Sequence, residues 1–156
     1  HGVFLAGAAD STNPLLLAGV AFSGANLGAP AGGAGEDGIL TAYEAAGLDL
    51  SGARAVVLSA CDTGQGRRVD REGIVGLQRG FARAGLPAVV LSLAAVDDAV
   101  AAAWMDAFYH EHLDQGRPVP LAAREASRRL LAAQRARGWP VHPYTWAPFL
   151  AVRTGR

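Results

Sequence analysis

The sequence predicts an α/β domain whose mostly parallel sheet carries helices on both faces. Two continuous apolar runs, 53–60 and 87–96, are rich in Val and Leu, which is typical of strands buried on both faces. Between them, the segment 72–85 places apolar side chains at helical spacing and stops at Gly85, before Pro87. About 25 residues separate the two strands, which is enough for one helical crossover, so the strands should lie parallel.

The remaining predicted elements precede and follow this βαβ unit. They are a strand near 17–22, a short helix over 41–47, a helix over 99–113, a helix over 121–137 and a closing strand within 145–153. The first helix begins with the spacing of a capping box, Thr41 to Glu44. Either Asp97 or Asp98 is suited to cap the helix that follows the second buried strand.

Composition limits the class of protein. The chain has 156 residues, 51% of them hydrophobic and 18% charged, which fits one compact domain over 1–156. Fourteen basic and fourteen acidic side chains give a net charge of zero, which argues against a nucleic-acid or anionic-membrane binder. All the basic residues are arginine, which we interpret as the coding bias of a GC-rich bacterial genome. No apolar run reaches the roughly 18 residues of a membrane span.

The single cysteine gives an expectation about the cellular compartment, and the first residue gives one about the upstream sequence. One cysteine cannot form an internal disulfide, so a reducing cytoplasm is the expected compartment. The chain begins at His1 without an initiator Met, and we expect it to be the C-terminal portion of a longer protein. Any targeting signal would then lie upstream.

Cys61 stands where the first buried strand opens into the loop of "VVLSACDTGQG" (56–66). By residue type alone, a small buried structural side chain is the favoured interpretation. The alternative is a nucleophile, because catalytic sites of such sheets lie at the carboxyl ends of the strands. A cysteine nucleophile needs a histidine that takes its proton and N–H groups that hold the oxyanion.

Four histidines are candidates for that base. His110 and His112 are two residues apart on a predicted helix, so they point to different faces and lack zinc-site spacing. His142 lies between prolines and suits a loop or packing role. His1 is followed by Gly2, which would allow a backbone N–H to approach a substrate. Spacing along the chain does not select among them.

Four segments together resemble the CHAT domain, a group of bacterial caspase-like cysteine peptidases related to caspases, gingipains and separase. They are "HGVF", "GILTAYEAAGLDLSGARAVVLSACDTGQG", "EGIVGLQRGFARAGLPAVVLSLAAVDD" and "HPYTWAPFLAV", in that order over nearly the whole chain. The resemblance implies a caspase-like sheet, with His1 as general base and Cys61 as nucleophile. It also implies that the backbone N–H groups of Gly2 and Cys61 form the oxyanion hole. This chemistry requires no metal or other cofactor.

The resemblance also suggests a specificity pocket. In the related separase, an acidic residue after the strand beyond the cysteine strand reads a basic substrate residue. The corresponding stretch, "LSLAAVDD", makes Asp97 or Asp98 the candidate, although helix capping alone also explains both. Asp62 is a further candidate, with a solvated loop as its alternative. Many relatives carry Trp-Pro where this chain has Ala94 and Ala95.

The expected partners are a protein substrate and the upstream part of the same protein, which in this family often contains helical repeats. No nucleic acid or membrane is expected. The arginines of the segment 124–137 are typical of a solvated face or of docking against that upstream part. Two other functions remain open: a catalytically silent caspase-like interaction module, and a nucleotide-binding α/β domain. The latter lacks any phosphate-binding fingerprint.

Overall fold

A computed structural model describes residues 2–4, 13–25, 37–59, 70–92 and 96–154. The strands of these ranges are β1 (Gly2–Phe4), β2 (Ala18–Ala21), β3 (Ile39–Thr41), β4 (Val56–Leu58), β5 (Ala88–Ser92) and β6 (Phe149–Arg153). The α-helices are α1 (Ala42–Ala45), α2 (Asp70–Arg83), α3 (Asp98–Tyr109), α4 (Val119–Ala136) and α5 (Pro143–Trp146). A 3-10 turn at Pro14–Leu16 and a π-helical turn at His110–Asp114 complete the described elements. No helix in these ranges is long and apolar enough to cross a bilayer.

The described strands form two three-stranded sheets. The first sheet has the order β1-β2-β3 and is antiparallel throughout. The second has the order β4-β5-β6, with β4 parallel and β6 antiparallel to β5. The α/β class and the parallel β4–β5 unit joined by α2 are therefore confirmed.

A mostly parallel sheet is not confirmed, because β4–β5 is the one parallel pair among the described strands. The direction of β6 follows from the number of helices that precede it. After β5 the chain returns along α3 and then crosses again along α4, whose 18 residues span about 27 Å. One intervening helix makes the next strand parallel, whereas two bring the chain back to the end where β5 stops, so β6 runs antiparallel.

The middle strand β5 separates two hydrophobic clusters. All five of its residues are buried, as predicted for a strand covered on both faces. Val89 and Leu91 face a cluster with α2 and the first sheet, whereas Ala88 and Val90 face a cluster with α3 and α4. The alternation follows from the two-residue period of a strand, and it makes the domain a layered structure with this sheet in the middle.

The α3–α4 side of the sheet is organised around Trp104, which is fully buried. Its ring stacks on Phe108 with 5.2 Å between centroids and contacts Phe149 with 4.6 Å between centroids. The indole Nε1–H donates to Ser127 Oγ at 3.0 Å, which connects α3 to α4. Because this hydrogen bond satisfies the polar atom of the indole, the large side chain can be buried without a desolvation penalty.

On the opposite side, α2 crosses α1 at very short range at Gly80. A Cβ atom on residue 80 would lie 2.4 Å from the carbonyl oxygen of Ala42, so only glycine fits there. The helix α1 itself begins as predicted: Thr41 Oγ1 accepts from Glu44 N–H, and the Glu44 carboxylate accepts from Thr41 N–H. This crossing fixes the first sheet and α1 against α2.

Candidate active site

The carboxyl ends of β4 and β5 lie together at one end of the second sheet. Leu58, the last residue of β4, pairs with Leu91, and β5 ends one residue later at Ser92. We call this end the carboxyl edge. Cys61 follows Leu58 by three residues in the sequence, and Asp97 follows Ser92 by five. Both predicted site segments therefore continue from the same edge.

Three of the predicted site residues, His1, Cys61 and Asp62, lie outside the described residues. Gly2 is the first residue of β1, where it pairs with Val20 of β2. Its backbone is thus part of the first sheet, directly after the predicted base in the chain. The roles of His1, Gly2, Cys61 and Asp62 stay predictions.

The first sheet and the carboxyl edge share one hydrophobic cluster. Val20, which pairs with Gly2, packs in the same cluster as Leu58 and Leu91. The cluster also contains Leu77 and Phe81 of α2. The helix that follows the Cys61 loop therefore packs against the sheet that begins at Gly2.

Asp97 is the N-cap of α3. Its Oδ1 accepts from Ala99 N–H at 3.0 Å and from Val100 N–H at 3.3 Å, which confirms the capping prediction for this residue. Both bonds end on the same oxygen, and no described group donates to Oδ2. The side chain is exposed, so a fixed carboxylate oxygen remains accessible at this edge.

Asp98 occupies the first turn of α3 and is also exposed. A carboxylate there is favoured by the positive end of the helix dipole. Two exposed aspartates therefore lie side by side at the start of α3.

Two serines at this edge were not singled out by the sequence analysis. Ser59 follows β4 and is exposed, whereas Ser92 ends β5 and is buried. A hydroxyl inside the apolar run 87–96 is the sequence signal that marks Ser92.

The three described histidines serve local structure. His110 Nδ1 lies 3.0 Å from Asp114 Oδ2, and His142 Nδ1 accepts from Tyr144 N–H at 3.4 Å to cap α5. His112 Nδ1 lies 2.8 Å from the carbonyl oxygen of Arg117. Within the described ranges no group of three or more His, Cys, Asp or Glu side chains could hold a metal ion.

The arginines of the segment 124–137 are exposed, as both interpretations of that segment require. Arg128 pairs with Glu125 on the same helix at 2.8 Å. The guanidinium of Arg137, just after the helix, lies 5.0 Å from the ring centroid of Trp139. Arg129 reaches the buried Glu111 of the π-helical turn.

The family model of the CHAT domain matches residues 1–155. The chain belongs to the CHAT domain family. The matched range includes His1, Cys61 and the Asp97–Asp98 pair. No curated protein and no solved structure matches the chain.

Within this CHAT domain, the described geometry accounts for how the site segments are positioned. The parallel pair β4–β5 brings the chain toward Cys61 and toward Asp97 at the same edge. The shared cluster beneath that edge connects it to β1, which begins at Gly2. Membership in the family indicates a caspase-like peptidase group.

Proposed function

We propose that this CHAT domain hydrolyses peptide bonds of a protein substrate in a bacterial cytoplasm, with Cys61 as nucleophile and His1 as general base. The observation that carries the proposal is the family match, which spans both residues in one alignment over 1–155. The common edge at which β4 and β5 end supports it, because sites of α/β sheets lie at the carboxyl ends of strands.

The proposed reaction has two steps. His1 takes the thiol proton while Cys61 Sγ attacks the carbonyl carbon of the scissile bond, and the backbone N–H groups of Gly2 and Cys61 hold the oxyanion. The carbon–nitrogen bond then breaks, the amine leaves with the proton from His1, and a thioester remains on Cys61. Water, deprotonated by His1, attacks the thioester and releases the acid and the free thiol.

Asp97 or Asp98 is proposed to select a basic residue before the scissile bond. The Oδ1 atom of Asp97 is occupied by two helix N–H groups, and its Oδ2 accepts from no described donor. A carboxylate fixed in this way is suited to an arginine or lysine, since it loses little rotamer freedom on binding. Asp62 is the alternative acidic residue for this pocket.

The sequence upstream of His1 is proposed as a partner of the domain. In the family, the strand before the catalytic histidine belongs to the same sheet as the cysteine strand. Among the described strands β4 pairs only with β5. Its other edge therefore offers N–H and C=O groups that suit a further strand.

The test uses the complete protein and a peptidyl electrophile with arginine at its reactive end. Cys61 is the single cysteine of the chain, so mass spectrometry assigns any thiol label within it. We expect labelling and peptide cleavage in the wild type, and a loss of cleavage of about a thousandfold or more in Cys61→Ala and His1→Ala. His142→Ala is the matched control, because His142 caps α5 and should leave both readouts unchanged.

The alternative function is a catalytically silent interaction module with the same fold. It predicts that Cys61 is never labelled, even with the natural binding partners present. Cleavage that persists in Cys61→Ala would instead place the activity elsewhere and contradict the proposed dyad.

A further inference from the structure

A second concave site lies at the opposite end of the β4–β5–β6 sheet. We call this end the amino edge: β4 and β5 begin there, and β6 ends there because Arg153 pairs with Ala88. The cavity has a volume of about 750 Å³ and is lined by the turn before β4, the start of β5, the end of β6 and the segment that enters α4. This volume lies within the range of small-molecule sites, about 300–1,000 Å³.

The charged side chains that line the cavity are all arginines, namely Arg54, Arg117 and Arg153. No Asp or Glu is among the lining residues. Within the described ranges neither Arg54 nor Arg153 forms an ion pair with a carboxylate. Lining arginines without a carboxylate partner favour a local positive potential in a chain whose net charge is zero.

Arg117 is held in place before any ligand arrives. Its N–H donates to the carbonyl of Glu111 at 3.0 Å, its carbonyl accepts from His112 Nδ1 at 2.8 Å, and its Nε lies 2.6 Å from Glu111 Oε2. Anchoring of the backbone and the side chain together lowers the entropy that binding would cost.

Glu111, the ion-pair partner of Arg117, does not itself line the cavity. Glu111 is only 3% exposed and binds both Arg117 and Arg129, so one carboxylate serves two guanidinium groups. Asp49, two residues before the lining residue Ser51, accepts from Ser51 N–H at 3.1 Å and from Ser51 Oγ at 2.7 Å within its own loop.

The start of α4 adds to the same potential. Pro118, its N-cap, makes no side-chain capping hydrogen bond, and the first turn contains no acidic residue. The positive end of this 18-residue helix therefore faces the cavity without a built-in counter-charge. Val119 and Leu121 beside it supply apolar surface.

We propose that the cavity at the amino edge binds a small organic anion that carries two or more phosphate or carboxylate groups. The planar guanidinium forks of Arg54, Arg117 and Arg153 match both kinds of group, and the apolar wall suits an organic skeleton. This site is separate from the proposed peptidase site, because it lies at the other end of the same strands.

The test is calorimetric titration of the complete protein with pyrophosphate and, separately, with citrate, against sodium chloride of equal ionic strength. We expect one of the two anions to bind with a dissociation constant below about 1 mM. Arg54→Gln and Arg153→Gln should each weaken binding about tenfold or more. Arg54→Lys, which keeps the charge, should weaken it less.

The matched control is Arg124→Gln, an exposed arginine of α4 that does not line the cavity. Equal loss of affinity in this control would mean non-specific charge attraction and would overturn the proposal. Failure of both anions to bind would overturn it too. If a glutamate-rich peptide binds while pyrophosphate and citrate do not, the cavity receives an acidic protein segment and the small-anion proposal is wrong. Thermal unfolding of each variant without ligand verifies that it folds.

Discussion

The two ends of the β4–β5 pair differ in the charged side chains that their candidate sites would use. At the carboxyl edge, Asp97 and Asp98 lie at the start of α3. At the amino edge, Arg54, Arg117 and Arg153 surround a cavity without an acidic lining residue. The same two strands thus connect an edge suited to a basic substrate residue with an edge suited to an anion.

A net charge of zero argues against some classes of binding partner but not against others. Fourteen basic and fourteen acidic side chains sum to zero, and on that ground the sequence argues against large anionic partners. The sum says nothing about a small anion, because a binding site responds to the local potential within about one Debye length of it, roughly 8–10 Å. Arginines can therefore line one cavity although the charges of the whole chain cancel.

The charged side chains of the two edges are also oriented by different kinds of contact. The carboxylate of Asp97 is exposed and is oriented by two backbone N–H groups of its own helix. Arg117 is oriented by the buried Glu111, which also binds Arg129 of a different element. We therefore expect loss of Glu111 to lower the stability of the fold more than loss of the Asp97 charge does. Loss of the Asp97 charge should instead lower the proposed peptidase activity more.

Among the variants that compare the two edges, the largest effect is expected from Asp97→Asn in the complete protein. Asparagine caps helices about as well as aspartate, so the thermal midpoint should change little while the negative charge disappears. We expect kcat/KM for an arginine peptide to fall about tenfold to a hundredfold, because a charged partner is lost from the substrate contact. A peptide with a neutral residue at that position should be cleaved as before.

Asp106→Asn provides the control for this prediction, since Asp106 is an exposed aspartate of the same helix outside the proposed site. If Asp98→Asn shows the loss in place of Asp97→Asn, the pocket residue is Asp98. If both variants still prefer the arginine peptide, an acidic pocket at the carboxyl edge is contradicted. The two aspartates would then have no role in substrate selection.

The next effect is expected from Glu111→Gln. The neutral amide cannot form ion pairs with the two guanidinium groups, so the free energy of unfolding should fall by about 1–3 kcal/mol. Both arginines are half exposed, which keeps the loss below that of a fully buried ion pair. Urea denaturation measures the change.

Glu125→Gln is the matched comparison, because Glu125 pairs with Arg128 at the helix surface. A surface pair contributes about 0–1 kcal/mol, so the loss there should be smaller. Equal losses in the two variants would show that the buried carboxylate is not a special anchor of the amino edge.

The smallest effect is expected at Asp49, beside the basic cavity. The Ser51 hydroxyl and the Ser51 N–H, which both donate to Asp49, hold the pKa of its carboxyl below the ordinary value of 3.8. Because the pKa is lower in the folded protein, the contact stabilises the fold above pH 3.8 and is lost as pH falls through the folded-state pKa.

Thermal midpoints of the wild type and Asp49→Asn, measured from neutral pH to below about pH 3, test this prediction. The difference between the two proteins should shrink at the acidic end, and Ser51→Ala, which removes the hydroxyl donor, should follow the same course. A difference that stays constant over the whole range would contradict the assignment.

Local signals predicted much of the fold. The capping box at Thr41 and the cap at Asp97 depend on side chains that bond to backbone two or three residues away, so their spacing is visible in the sequence. The burial of β5 follows from its unbroken apolar run. The parallel pairing of β4 and β5 follows from the single helix between them. The pairing of β1 and β3 with β2 was not predicted, because three-residue strands are too short to display a period.

The sequence by itself determined the class, the βαβ unit, the helix caps and the resemblance that singles out His1 and Cys61. Tertiary structure decided the direction of β6, the close crossing at Gly80 and the meeting of distant arginines at one cavity. Arg54 and Arg153 are 99 residues apart in the numbering, and they line one cavity because β4 begins where β6 ends. Contacts within a few residues are encoded by spacing, whereas contacts between distant residues depend on how the helices return the chain to the sheet.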